Sequence, residues 1–105
     1  MPSDRKTVIV DTSLSPFTKL KPVPLTSVKL TDVFWAPRIR TLARSTLPAI
    51  YDKLEESGTL NNFRRILGKT EAEFKGYPFA DEHVYKWLEA ALWLLSYERN
   101  EGLKE

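Results

Sequence analysis

A chain of 105 residues with 16 basic, 14 acidic, one histidine and no cysteine side chains has room for one small domain at most. The net charge of +2 provides no electrostatic footprint for nucleic acid or an anionic membrane, and the lack of cysteine excludes a disulfide, a thiolate zinc site or a cysteine nucleophile within these residues. His83 alone cannot build a His-rich metal cluster, no run approaches the ~18 apolar residues of a membrane span, and Val8-Ile9-Val10 is too short for a signal h-region; a soluble, cytoplasmic chain is expected.

Residues 1–30 carry Pro2, Pro16, Pro22 and Pro24. Each proline fixes its own φ, lacks an amide donor and pushes its predecessor toward an extended shape. The reading is an extended arm, with short strand-like pieces at Thr7–Val10 and Leu25–Leu30. Such an arm lies along a larger body and carries no catalytic pattern.

Thr31-Asp32 then offers N-cap chemistry, and Pro37 suits a first helical turn. Ile39, Ala43, Leu47, Ile50 and Leu54 recur at spacings of three and four, one apolar stripe on a helix running to about Ser57. Pro48 interrupts that stripe, so a kink or break is expected there. Gly58 supplies a helix stop. Residues 60–67 read as a short helix closed by Gly68. Residues 71–80 read as a loop punctuated by Gly76 and Pro78 and carrying Phe74, Tyr77 and Phe79. Asp81 is a suitable N-cap for a last helix over residues 82–98, with Glu82 favourably placed near its positive end.

That last helix is apolar on nearly every side. Val84, Tyr85, Trp87, Leu88, Ala90, Ala91, Leu92, Trp93, Leu94, Leu95 and Tyr97 leave only a narrow strip for Glu82, Lys86, Glu89 and Ser96. A helix of this kind belongs in the middle of something. One amphipathic helix and one short helix cannot cover all of it. Some of Trp87, Trp93 and their neighbours should therefore stay exposed unless further chain or a partner covers them. The sequence reads as the start of a larger helical body.

Five segments in order carry a resemblance: Val28-Lys29-Leu30-Thr31-Asp32-Val33-Phe34-Trp35-Ala36-Pro37-Arg38, Thr46-Leu47-Pro48-Ala49-Ile50-Tyr51, Asn61-Asn62-Phe63-Arg64-Arg65, Gly76-Tyr77-Pro78-Phe79-Ala80-Asp81 and Val84-Tyr85-Lys86-Trp87-Leu88-Glu89-Ala90. Together they resemble the N-terminal part of glycoside hydrolase family 127, the β-L-arabinofuranosidase-like enzymes, over about residues 25–104. The expected fold is mainly α: the extended N-terminal arm over residues 1–30 read from its prolines, then, over 31–105, what the resemblance implies, the first helices of an incomplete six-hairpin α/α barrel. It implies retaining hydrolysis of a terminal furanoside by a zinc-bound cysteine nucleophile and a glutamate acid/base. All of those groups lie beyond the matched region, so no cofactor is expected in this chain and no turnover from it alone. The implied partners are the remainder of the glycosidase chain, or a second copy covering the 82–98 helix, and carbohydrate in the whole enzyme. The alternative from another class is a small helical interaction module or homo-oligomer without activity.

Phe79, Asp81 and His83 are the candidate substrate-binding residues. Where the family shows Phe-x-Asp-Ser-Asp-Val, this chain has Phe79-Ala80-Asp81-Glu82-His83-Val84, which puts sugar preference in question at positions 82 and 83. Asp81 can meet sugar hydroxyls or cap the helix. Phe79 can form a platform for a sugar ring or pack at the loop–helix junction. His83 can bind sugar or carry a proton, or be an ordinary exposed helix histidine. Glu82 and Glu89 share a face, but seven residues give about 10.5 Å of rise. Glycosidase pairs stand roughly 5–9.5 Å apart, so this pair reads as a surface charge pattern with Lys86.

Overall fold

A computed structural model describes residues 8–97 and is mainly helical, with no strand among the described residues. The helices are α1 (Trp35–Thr41), α2 (Leu47–Glu56), α3 (Thr59–Ile66) and α4 (Asp81–Tyr97), with a π-helical segment, Leu42–Thr46, joining α1 to α2. The strand-like reading of residues 25–30 is corrected: Leu25–Ser27 is a single 3-10 turn behind Pro24. Among the described residues, neither 25–30 nor 8–10 has a neighbouring strand to complete a ladder. Thr7 and residues 98–105 lie outside the described residues.

Asp32 starts the first helix. Its carboxylate accepts the amide N–H groups of Phe34, Trp35 and Ala36 at 3.1, 2.6 and 3.2 Å, donors that no upstream carbonyl reaches in a first turn. The Trp35 amide is the largest cause holding the Asp32 carboxyl below its usual pKa. Arg38 folds back over Phe34, 3.7 Å from the ring centre, and donates to the Phe34 carbonyl at 2.7 Å.

Pro48 does not break the helix. The preceding turn widens into the π segment, where the Leu47 amide reaches back to the Leu42 carbonyl. Thr46 and Leu47 keep helical dihedrals. A proline lacks the N–H that an α-helical register would require and clashes with the carbonyl four residues earlier. A wider turn relieves both and keeps the apolar stripe aligned across the defect.

The core forms where α4 meets this stripe. Ala43, Leu47, Ala91 and Leu94 are buried together, with Ile39, Leu42, Trp87 and Ala90 packed around them. The buried apolar residues are mostly alanines (Ala36, Ala43, Ala80, Ala91), beside Leu47, Leu54 and Leu94. Alanine lets helices approach closely but contributes little apolar area. Each buried leucine is worth roughly 1.5–3 kcal/mol, so the core is thin. The Trp87 Nε1–H donates to the Leu47 carbonyl at 2.8 Å, and its ring lies 5.3 Å from that of Tyr51. The other side of α4 is largely bare: Leu88, Leu92 and Trp93 are 48%, 52% and 48% exposed, and Tyr85, 58% exposed, meets Phe63 of α3 edge-on with ring centres 5.9 Å apart.

α3 is tied to α2 by charge. The Arg64 guanidinium grips both carboxylate oxygens of Glu55, with Tyr51 Oη donating to the same group at 3.2 Å. Arg64 holds the Glu55 carboxyl below its ordinary value of 4.5. The arm returns to the far end of α4: the Leu30 N–H donates to Tyr97 Oη at 2.6 Å and Lys29 Nζ to the Tyr97 carbonyl at 2.8 Å.

Trp87→Phe keeps an aromatic ring but orphans the second acceptor bond at Leu47; it should lower stability by about 1–2 kcal/mol, read as a shifted urea midpoint. A depressed folded-state pKa makes the Glu55–Arg64 contribution complete above pH 4.5, with loss as pH falls through the folded value. The urea midpoints of wild type and Glu55→Gln should therefore differ most at neutral pH and draw together as the pH falls below 4.5; a constant gap would refute the assignment.

Candidate functional site

The loop between α3 and α4 is held by main-chain contacts rather than by a core. Asn62, 5% exposed, donates through Nδ2 to the Lys75 carbonyl at 2.8 Å and accepts the Lys75 N–H through Oδ1 at 3.0 Å. One side chain thus satisfies both polar groups of one loop residue. Gly58, at φ +81°, lets the Lys75 stem lie against the α2–α3 turn; a Cβ there would fall 2.9 Å from Lys75 Cδ. Gly76, at φ +96°, then turns the chain toward Tyr77. The Ala80 N–H donates back to the Tyr77 carbonyl at 2.9 Å, which closes the turn before α4.

This framework puts the three candidate residues on different sides of the start of α4. Phe79 is 62% exposed, and what packing it has at the loop–helix junction is with another exposed ring. Its one ring contact is Tyr77, itself 70% exposed, with ring centres 5.4 Å apart and planes at 4°. His83 is exposed and opens onto a groove of about 670 Å³ between α2 and α4, whose walls include Leu47, Leu54, Tyr77 and Trp87. Asp81 turns the other way, into a smaller cleft of about 370 Å³ beside α3 with Phe63, Arg65 and Phe74. Asp81 is already the first helical residue, with Ala80 before it. Its charge sits near the positive helix end rather than at the cap itself. Asp81 and His83 therefore do not converge on one ligand atom in this chain.

Tyr77 is the residue that sequence reasoning passed over. Two aromatics flanking Pro78, right after a glycine, are a local signal for a stiff exposed turn. The loop nonetheless reads as punctuation until the ring geometry is known. Lys53 and Lys86 also stand at the groove mouth. Each is held by a neighbouring carboxylate, Glu56 at 2.6 Å and Glu82 at 3.4 Å. Glu82 therefore takes part in a surface i,i+4 pair, a geometry worth a few tenths of a kcal/mol.

A zinc ion does not fit these residues. Among the described residues no three His, Asp or Glu side chains gather where a cation could sit, and the chain has no cysteine. No helix among them is long and apolar enough to cross a membrane.

The profile of the β-L-arabinofuranosidase GH127 catalytic domain matches residues 27–105. The chain belongs to this family. Among curated proteins, this family 127 chain is similar to the non-reducing end β-L-arabinofuranosidase of Bifidobacterium longum subsp. longum, with 28% identity over 97 aligned residues. That alignment covers 74% of this chain but only 15% of the relative. No solved structure matches it. The matched span includes α1–α4 and the clamped loop, and the residues before position 27 fall outside it.

Asn62→Ala should release the loop without touching the aromatic pair. Two buried hydrogen bonds are lost and the Lys75 groups must find water, so a destabilisation of about 1–3 kcal/mol is expected. Hydrogen exchange at the Lys75 amide should accelerate more than exchange in α2; equal acceleration of both would mean that Asn62 supports the whole body instead.

Proposed function

We propose that this chain is the opening segment of a glycosidase that removes terminal β-L-arabinofuranosyl residues, and that it builds wall and rim while the reacting groups lie in the rest of the catalytic domain. The observation that carries this reading is the family match over residues 27–105, taken with a much longer relative, only 15% of which the alignment covers. The bare face of α4 supports it. Tyr85, Leu88, Leu92 and Trp93 form a surface that a following helical hairpin would bury, as an inner element of an α/α barrel requires. Phe79, Asp81 and His83 then belong to the rim at the start of that inner helix, where they would meet sugar. Zinc chemistry belongs to the remainder, because the donor set is missing here. The protein acts in cytoplasmic carbohydrate metabolism on this reading.

The same bare face also favours a second reading, a helical interaction module that pairs with a copy of itself. The two part company in one experiment. The purified chain should release nothing from an aryl β-L-arabinofuranoside, with or without zinc. Zinc-dependent release should appear when it is mixed with a polypeptide carrying the part of the Bifidobacterium relative outside the matched region. Release by this chain alone that survives repurification and disappears in Glu82→Gln would overturn the proposal. A tight dimer by light scattering, with no release from the mixture, would establish the interaction module.

A further inference from the structure

Large aromatic side chains exposed to water are ordinary when single, but two rings held parallel on a stiff loop form a built surface. The Tyr77 and Phe79 rings are 70% and 62% exposed and stack at 5.4 Å with a 4° angle between planes. Stacking uses one face of each ring and leaves the outer faces open. The segment beneath them is fixed at three points: the Asn62 bonds to Lys75, the left-handed Gly76 and the Tyr77–Ala80 turn. A ligand meeting this surface has little loop ordering to supply. The π-face of an aromatic ring is electron-rich, and the C–H bonds on one face of a sugar ring present a weakly positive apolar patch. Tyr77 also borders the groove onto which His83 opens.

We propose that Tyr77 is a sugar-stacking residue, whose outer ring face takes the C–H face of a furanoside while its stacking on Phe79 holds it in place. This rests on the glycosidase reading above. It adds a binding residue that the Phe79, Asp81 and His83 set does not contain. The phenol hydroxyl is secondary, since the interaction is made by the ring.

The test is ligand-observed saturation-transfer NMR on the full chain, with methyl β-L-arabinofuranoside as probe and methyl α-D-glucopyranoside as comparison. Tyr77→Ala should weaken furanoside binding by about five- to tenfold and Tyr77→Phe by less than about twofold. Thermal midpoints should stay unchanged because the side chain is exposed. Furanoside binding that is indifferent to Tyr77→Ala would overturn the stacking role and leave the glycosidase reading standing. Equal, Tyr77-dependent binding of the glucopyranoside would uphold the stacking role and count against the furanoside reading. No saturation transfer from wild type to the furanoside would overturn the stacking role.

Discussion

The Trp87 indole N–H crosses from α4 to the Leu47 carbonyl, and around that bond Ala43 and Ala91 let the two helices come close enough for Leu47 and Leu94 to be buried. The contact needs the α1–α2 stripe to stay on one face, which the π segment secures despite Pro48. If the helix ended at the proline, Ile39 and Leu42 would leave the patch that Trp87 and Ala90 pack against. A single widened turn therefore decides whether this sequence has a core at all. Small buried side chains and one tryptophan hydrogen bond do here what a larger domain does with a broad apolar interior.

The loop before α4 follows a different logic. It borrows almost nothing from that core. Its position comes from Asn62, from two left-handed glycines and from the absence of a side chain at position 58. Polar clamps of this kind specify geometry more sharply than they add stability, since each bond is made in exchange for one with water. That suits a segment whose aromatic rings face outward. The rings can be kept parallel without being buried, and a surface meant for a flat ligand needs that combination.

Much of this was legible beforehand, and the reasons differ by element. The 3.6-residue recurrence from Ile39 to Leu54 located the first helix, and Asp32 announced its start, because both signals are local. Gly58 and Gly68 marked real ends for the same reason, with φ of +81° and +67°. The greasy circumference of residues 82–98 correctly implied exposed apolar surface, since a shortage of covering chain is a matter of arithmetic. Leu25–Leu30 misled because proline-flanked apolar residues look the same in an extended strand and a 3-10 turn; only a pairing partner separates them. At Pro48 the sequence offered a kink or a break but no hint of a π turn, which depends on carbonyl register. The divergence of Asp81 and His83 follows from helix geometry, since two residues apart point about 200° away from each other. The Tyr77–Phe79 stack depended on loop dihedrals that no periodicity encodes.

Tyr97 gathers three contacts from the arm at once: its hydroxyl receives the Leu30 amide, its carbonyl receives Lys29, and the Lys29 ammonium stands 4.7 Å from its ring centre. Residues 67 and 68 positions apart in sequence are thereby stapled, so the two extremities of the helical body cannot fray independently. Loosening one frees the other. Tension arriving through chain joined beyond Tyr97 would be shared with the arm through these contacts, which makes this tyrosine a mechanical junction.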